Sequence, residues 1–364
     1  MVLPWASLLD VSFVQDYNYN NIAFGAIGTP SGQNPIDLNA PDLGTAYLAQ
    51  YQDSTLGPAA VPGASALPTN LLRPYRGLGA IIDTWPRFHD LYRAIDSSYK
   101  HQYRHGLSAG FNYTLGLGNS GNMLSQQIFV HNGSAIALSP QQSMNDSLIN
   151  NIGFRRNTLK GYAVWDLPKV SSLPKIAGAV LNGWQLSVVY TGGTGAPYDV
   201  TYSYASNGGN VNLTGSPDYT ARIKLVGNPG SGCSSNPYAQ FNVNAFAGPT
   251  YNSVGNESGS SLLHQCFNNT TDLAILRSFK LFSEQRRFSF RLQAFNVFNT
   301  VVINGVNTTM QLASPASPSA ITNNQYNSDG SLNTARLTPA TSGFGAATSA
   351  QNMRSVEAQL RFTF

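Results

Sequence analysis

The sequence predicts an all-β fold, an incomplete antiparallel transmembrane β-barrel segment of about eight long strands. Short turns line one edge of that segment and long loops line the other. Three observations carry the prediction. The last eleven residues, 354–364, alternate without a break, with Val356, Ala358, Leu360, Phe362 and Phe364 on one parity and Ser355, Glu357, Gln359, Arg361 and Thr363 on the other. Connections between the strand candidates alternate long and short. And only 10% of residues are charged, against about a quarter in typical soluble proteins.

Strict period two means an extended strand with one apolar and one polar face. The closing run matches the roughly 9–11 residues of a tilted transmembrane strand, whereas strands of soluble proteins average about five to six. The competing reading is a strand of a soluble sandwich with one face on a core. Mean hydropathy is −0.16 despite the scarcity of charge. Asn, Ser, Thr, Gln and Gly make up the difference, and such residues suit wet loops and a water-filled lumen.

From the start, Trp5–Gln15 holds a short alternating run, followed by a long segment, 16–86, rich in Asn, Pro, Gly and Ala. Within it, Leu43–Gln50 could make a short helix. Leu91–Tyr103 reads as a strand, Arg104-His105-Gly106 as a tight turn with a glycine for positive φ, and Leu107–Thr114 as the returning strand. Residues 117–151 have loop composition. Phe154–Trp165 is the next strand, stopped by Asp166-Leu167-Pro168, and Lys169–Ala179 is a short connection. Gly183–Tyr204 is read as one strand with a glycine bulge at 192–195, because a turn there would break the alternation of connections. Residues 204–271 form a second long loop. Asp272–Leu281 and Arg286–Asn299 are strands around a turn at 282–285. A third long loop, 300–350, leads into the closing strand. Long loops outside and short turns in the periplasm are the pattern of outer-membrane barrels, and they send the last strand from outside to periplasm.

Several function classes are excluded or unsupported. No apolar run reaches the ~20 residues of a spanning helix. The opening residues lack the basic region and apolar core of a signal peptide. The net charge of +4 is small and scattered, which gives nucleic-acid binding no support. Glutamates occur only at Glu257, Glu284 and Glu357, too sparse for a carboxylate pair. His101 and His105 lie on a strand and its turn, where four-residue spacing does not converge on a metal. No cofactor, metal or catalytic constellation is expected, and the chain is not expected to be an enzyme. Eight Asn-x-Ser/Thr sequons fit chance in so Asn- and Ser-rich a chain. Cys233 and Cys266 lie in Gly/Ser/Asn-rich loop sequence, either bonded in an oxidising compartment or as two free thiols.

Several stretches resemble, in order, the barrel of TonB-dependent outer-membrane receptors, in the branch with an amino-terminal carboxypeptidase-regulatory-like domain. They are Leu71-Leu72-Arg73-Pro74-Tyr75-Arg76-Gly77, His105-Gly106-Leu107 with Asn112-Tyr113-Thr114, Trp165-Asp166-Leu167-Pro168, and Gly183-Trp184-Gln185-Leu186. Gly195-Ala196-Pro197-Tyr198, Phe241-Asn242 with Asn244-Ala245-Phe246, Asp272-Leu273 with Phe279-Lys280, and Arg291 with Phe295-Asn296-Val297-Phe298-Asn299 follow. Two departures stand out: Ala196 replaces the usual threonine, and the basic pair before the hairpin turn is diluted to Tyr103-Arg104. The resemblance implies that 1–364 is the carboxyl-terminal part of a receptor barrel, with plug domain and signal peptide absent from this chain. It implies uptake of a large nutrient (an oligosaccharide, peptide or metal chelate) across the outer membrane of a Gram-negative-type bacterium. The implied partners are outer-membrane lipid, the TonB–ExbB–ExbD system acting through the plug, and the barrel-assembly machinery, which would read Leu360, Phe362 and Phe364 as the assembly signal. The alternatives are an autonomous structural or adhesive outer-membrane barrel and a secreted soluble β-sandwich binding module.

A charge facing lipid at mid-depth costs about 2–4 kcal/mol for Arg. Arg291 and Arg361 are therefore expected to face the lumen, with Gln293, Glu357 and Gln359.

Overall fold

The computed structural model describes residues 2–3, 6–21, 36–37, 39–83, 88–121, 129–131, 134–136, 155–171, 174–218, 221–253, 262–281, 283–351 and 353–364. Eight long strands dominate it: β1 (Ser7–Asn21), β2 (Phe88–Arg104), β3 (Leu107–Gly121), β4 (Asn157–Asp166), β5 (Trp184–Gly193), β6 (Asn268–Leu281), β7 (Ser283–Phe295) and β8 (Ser355–Thr363). They lie side by side in chain order, each antiparallel to the next, with the two-residue strand Val2–Leu3 on the outer side of β1. The sheet is open. Its two edges are Val2–Leu3, beside β1, and β8, and among the described residues β1 does not pair with β8.

The register gives the sheet a steep slant. Following paired residues from Ser7 leads through His101, Ala109, Ala163, Val188, Leu273 and Ala294 to Val356. Ser7 begins β1, whereas Val356 sits at the opposite end of β8. Slipping about eight residues of ~3.3 Å over seven steps of ~4.8 Å is a slope of about 38°, within the ~35–45° tilt of transmembrane barrels. The slant is built by hydrogen bonds, not by any one side chain.

Turn chemistry agrees with the strand edges. His105 and Gly106 both have positive φ, 51° and 85°, the signature of a type I′ hairpin turn whose twist matches its strands. At the β6–β7 turn Leu281 already pairs with Ser283. The strand therefore starts three residues earlier than expected from the polar run 283–285. Pro174 opens a helix, Lys175–Leu181, in the β4–β5 connection, where a plain linker was expected. A proline at that point presets φ and loses no helical hydrogen bond. Leu43–Gln50 forms two 3₁₀ turns, Thr45–Tyr47 and Ala49–Tyr51, broken by an extended Leu48.

One strand expectation is overturned. Gly183–Tyr204 is not a single bulged strand: β5 ends at Gly193 and the chain leaves the sheet. A side chain at Gly195 would collide with the Gln265 backbone carbonyl, so the chain crosses that point as glycine or not at all. Beyond it, Pro197–Tyr198 pairs with Leu263–His264, and Thr201–Tyr204 runs parallel to Thr309–Leu312. The long–short order of connections survives, with the long one starting ten residues sooner. Similarly, β7 stops at Phe295, because Asn296 and Asn299 take positive φ.

The long connections are not unstructured. The described residues among 39–80, 194–267 and 296–351 fold together into a cap with its own core of Val200, Ile223, Phe241, Ala245, Phe246, Leu263, Met310, Leu312 and Phe344. Phe241 stacks edge-on against Phe246 and Phe344, with ring centroids 5.6 and 5.2 Å apart. The first loop docks through backbone hydrogen bonds from Gly44 to Thr214 and from Ala46 to Gly215. Arg73 bridges Asp218 at 3.2 Å and donates to the Asn39 carbonyl at 2.8 Å. Of the loop expected at 117–151, β3 takes up 117–121, and 129–131 pair antiparallel with 134–136. Residues 122–128 and 137–150, and Phe154 at the start of the expected fourth strand, lie outside the described residues.

Candidate functional site

Pairing across the sheet sorts its side chains into two faces. One carries Val11 and Phe13, Phe111, Trp165, Leu186, Ile275, Phe290 and Leu360, with their partners in register. Among the described residues no second layer covers this apolar face. Val11 is 60% exposed and Leu360 66%, and the other sheets among the described residues are two-stranded. A soluble sandwich would cover such a face, because burial of each large aliphatic or aromatic side chain is worth ~1.5–3 kcal/mol. A hydrocarbon solvent leaves it bare.

The opposite face is polar. On β7 and β8, Arg291 lies across from Gln359, Gln293 from Glu357 and Ser289 from Arg361. Arg291, Gln293, Glu357 and Gln359 line a recess of about 330 Å³. All five residues expected on the inner face therefore share one side, four of them around a single hollow. A second recess of about 310 Å³ on β1–β3 is lined by Asp10, Ser12, Asp96, Ser98, Asn112 and Thr114, among others. Neither Asp10 nor Asp96 was singled out from sequence, although both sit opposite the apolar parity of their strands. Leu360 and Phe362 project from the other face of β8, and Phe362 stacks on Phe364 with centroids 6.0 Å apart.

Two arginines break the pattern, the first being Arg93, which pairs with Gln15 on the parity of Phe13 and Ile95. Arg277 pairs with Trp184 and Phe290 on the apolar face. Its guanidinium lies 4.3 Å from the centre of the Phe279 ring and 5.4 Å from that of Trp184, and the residue is 5% exposed. Wrapping the cation in aromatic faces offsets part of its desolvation. Arg291 and Arg361 lie on the opposite, polar parity, whereas Arg277 shares its parity with Ile275 and Phe279, as the sequence already shows.

The polar face meets the cap at a tied junction. Asp272 accepts from the Asn296 backbone N–H at 2.9 Å, and the Asn296 side chain in turn bridges the backbone of Thr300. Asn299 accepts from the Arg354 N–H at 3.0 Å. Above it, Cys233 and Cys266 are disulfide-bonded, with Cα atoms 4.8 Å apart, and the Tyr198 hydroxyl donates to the Gly232 carbonyl at 2.6 Å. Burial raises the Tyr47 phenol to about 12 and holds the His264 imidazole below its ordinary value. Among the described residues no group of three or more His, Cys, Asp or Glu is placed to hold a metal.

A family model described as an outer membrane beta barrel domain matches residues 11–357. This chain is an outer-membrane β-barrel domain. No curated protein and no solved structure matches it. The family accounts for the bare apolar face and the slanted register together, and it places the chain in the outer membrane of a Gram-negative-type bacterium. Within the barrel domain, the recess on β7 and β8 is the candidate site, because there unpaired polar side chains surround open space.

Proposed function

We propose that this barrel domain is the carboxyl-terminal part of a TonB-dependent receptor, taking up a large nutrient (an oligosaccharide, a peptide or a metal chelate). It acts by recognition and passage rather than by catalysis. Energy would come from the TonB–ExbB–ExbD system through a plug domain, and the polar face would line the path. The apolar face would meet lipid, and the strand ending in Phe362 and Phe364 would be read by the barrel-assembly machinery.

The observation that carries the reading is where the receptor-like stretches fall. Arg73 holds the first loop onto the cap, Gly195–Tyr198 carries the chain out of the sheet, and Phe241 and Phe246 build the cap core. Asp272 and Asn296 tie the cap to the strands. These resembling motifs serve the cap or its joints with the sheet, while others, such as His105-Gly106-Leu107 and Trp165-Asp166, lie in the strands and their turns. An autonomous eight-stranded barrel would have an interior filled by side chains. Here the polar face keeps two open hollows.

The test is energised uptake by cells carrying the native gene, fed a panel of oligosaccharides, peptides and iron chelates as sole nutrient. The reading requires growth on one of them that stops when TonB is deleted or a protonophore is added, while surface binding persists. Uptake indifferent to both treatments sinks it.

A further inference from the structure

We propose that the recess on β7 and β8 binds a small zwitterion of the amino-acid or short-peptide class, with Arg291 taking its carboxylate and Glu357 its ammonium. The inference rests on the receptor reading and narrows its nutrient class.

Arg291 and Glu357 sit one pair apart on facing strands, Arg291 opposite Gln359 and Glu357 opposite Gln293. Such diagonal neighbours have Cα atoms roughly 7–8 Å apart. Both side chains point from the polar face into the same hollow. They do not pair with each other, and neither forms an ion pair or side-chain hydrogen bond with any described residue. Two other acids of this face are already engaged. Asp166 accepts from Tyr103 at 2.6 Å and Gln185 at 2.8 Å, and Asp272 accepts from Asn296. The recess on β1–β3 has two carboxylates and no cation in its lining.

A water-exposed ion pair gains little over two hydrated charges, so the two groups are free to wait apart. A ligand carrying both signs at matching separation satisfies both at once, and its backbone amide can reach Gln293 and Gln359. The planar fork of Arg291 suits a carboxylate bidentately. A neutral sugar would leave both charges unmatched, and an anion or a cation would leave one.

The probe is the labelled dipeptide Ala-Ala, measured by equilibrium dialysis against the full native protein in detergent. N-acetyl-Ala-Ala, Ala-Ala amide and maltotriose serve as competitors. The expected result is saturable binding that weakens tenfold or more when either terminus is blocked, and that maltotriose does not displace. Arg291→Gln should erase the discrimination against the amide only, and Glu357→Gln the discrimination against the N-acetyl form only. The double swap Arg291→Glu with Glu357→Arg should restore binding, which separates the effect from misfolding. Absence of saturable binding, equal binding of the blocked forms, or displacement by maltotriose overturns the proposal. Binding needs no TonB, so a dipeptide bound but not imported under energy counts against the receptor reading alone. Energised uptake of a nutrient that the dipeptide never displaces counts against this inference alone.

Discussion

Asn39 shows how much one uncharged side chain can hold. It is fully buried. Its Oδ1 accepts from the Tyr75 N–H at 2.7 Å, and its Nδ2 donates to the carbonyls of Tyr75, Leu78 and Gly79 at 3.0, 3.2 and 2.8 Å. Asn39→Ala removes these hydrogen bonds from a buried side chain and should destabilise the cap by about 1–3 kcal/mol, measured as its thermal midpoint or protease resistance, with the strands unaffected. His264 makes a second case. Burial disfavours its charged form, and its Nε2 is enclosed without a hydrogen bond among the described residues. The unfolded chain therefore takes up the proton more readily than the folded one. Its contribution is whole above about 6.5 and is lost as pH falls through the lowered folded value. Cap stability should be lower at pH 5 than at pH 7.5, and His264→Asn should flatten that dependence; an unchanged slope would remove His264 from the account.

At the scale of elements, the sheet was readable and the cap was not. Parity needs only the sequence, since side chains alternate whatever the strand's neighbours are. That is why Arg291, Gln293, Glu357, Gln359 and Arg361 could be set on one face in advance. Strand ends were harder, because polar residues such as Asn268–Thr271 and Ser283 pair as well as apolar ones once hydrogen bonds hold them. The cap core was invisible because Val200, Phe246, Met310 and Phe344 are isolated apolar residues in polar stretches. No local period marks residues that meet only in three dimensions. The closing strand yields a prediction of its own. Phe364 is 92% exposed and touches the fold through its stacking on Phe362. Deleting it should leave folded stability nearly unchanged yet lower the amount of parent protein assembled in the outer membrane. Heat-modifiability gels would show the difference, and equal amounts of folded barrel would rule out an assembly role.

For the whole molecule, sheet and cap are held by different forces. The sheet relies on its hydrogen-bond ladder and the solvent around it, the cap on a dry core, the Arg73–Asp218 bridge and one disulfide. Cys233 and Cys266 close a loop of sequence separation 33, so their bond should contribute about 3–4 kcal/mol by limiting the unfolded chain. Replacing both by serine should lower the cap's melting midpoint and leave the strands' resistance to heat in detergent intact. Loss of both together would mean that the two parts unfold as one.

The cap core also dictates an order of events. Its members come from residues 200 to 344, and its margin joins residues 44–46 to 214–215. Contacts so distant along the chain form late, after the closure entropy between them has been reduced. The strands supply that reduction by bringing the roots of the three loops side by side. Closure entropy therefore favours condensation of the cap after the meander is laid down.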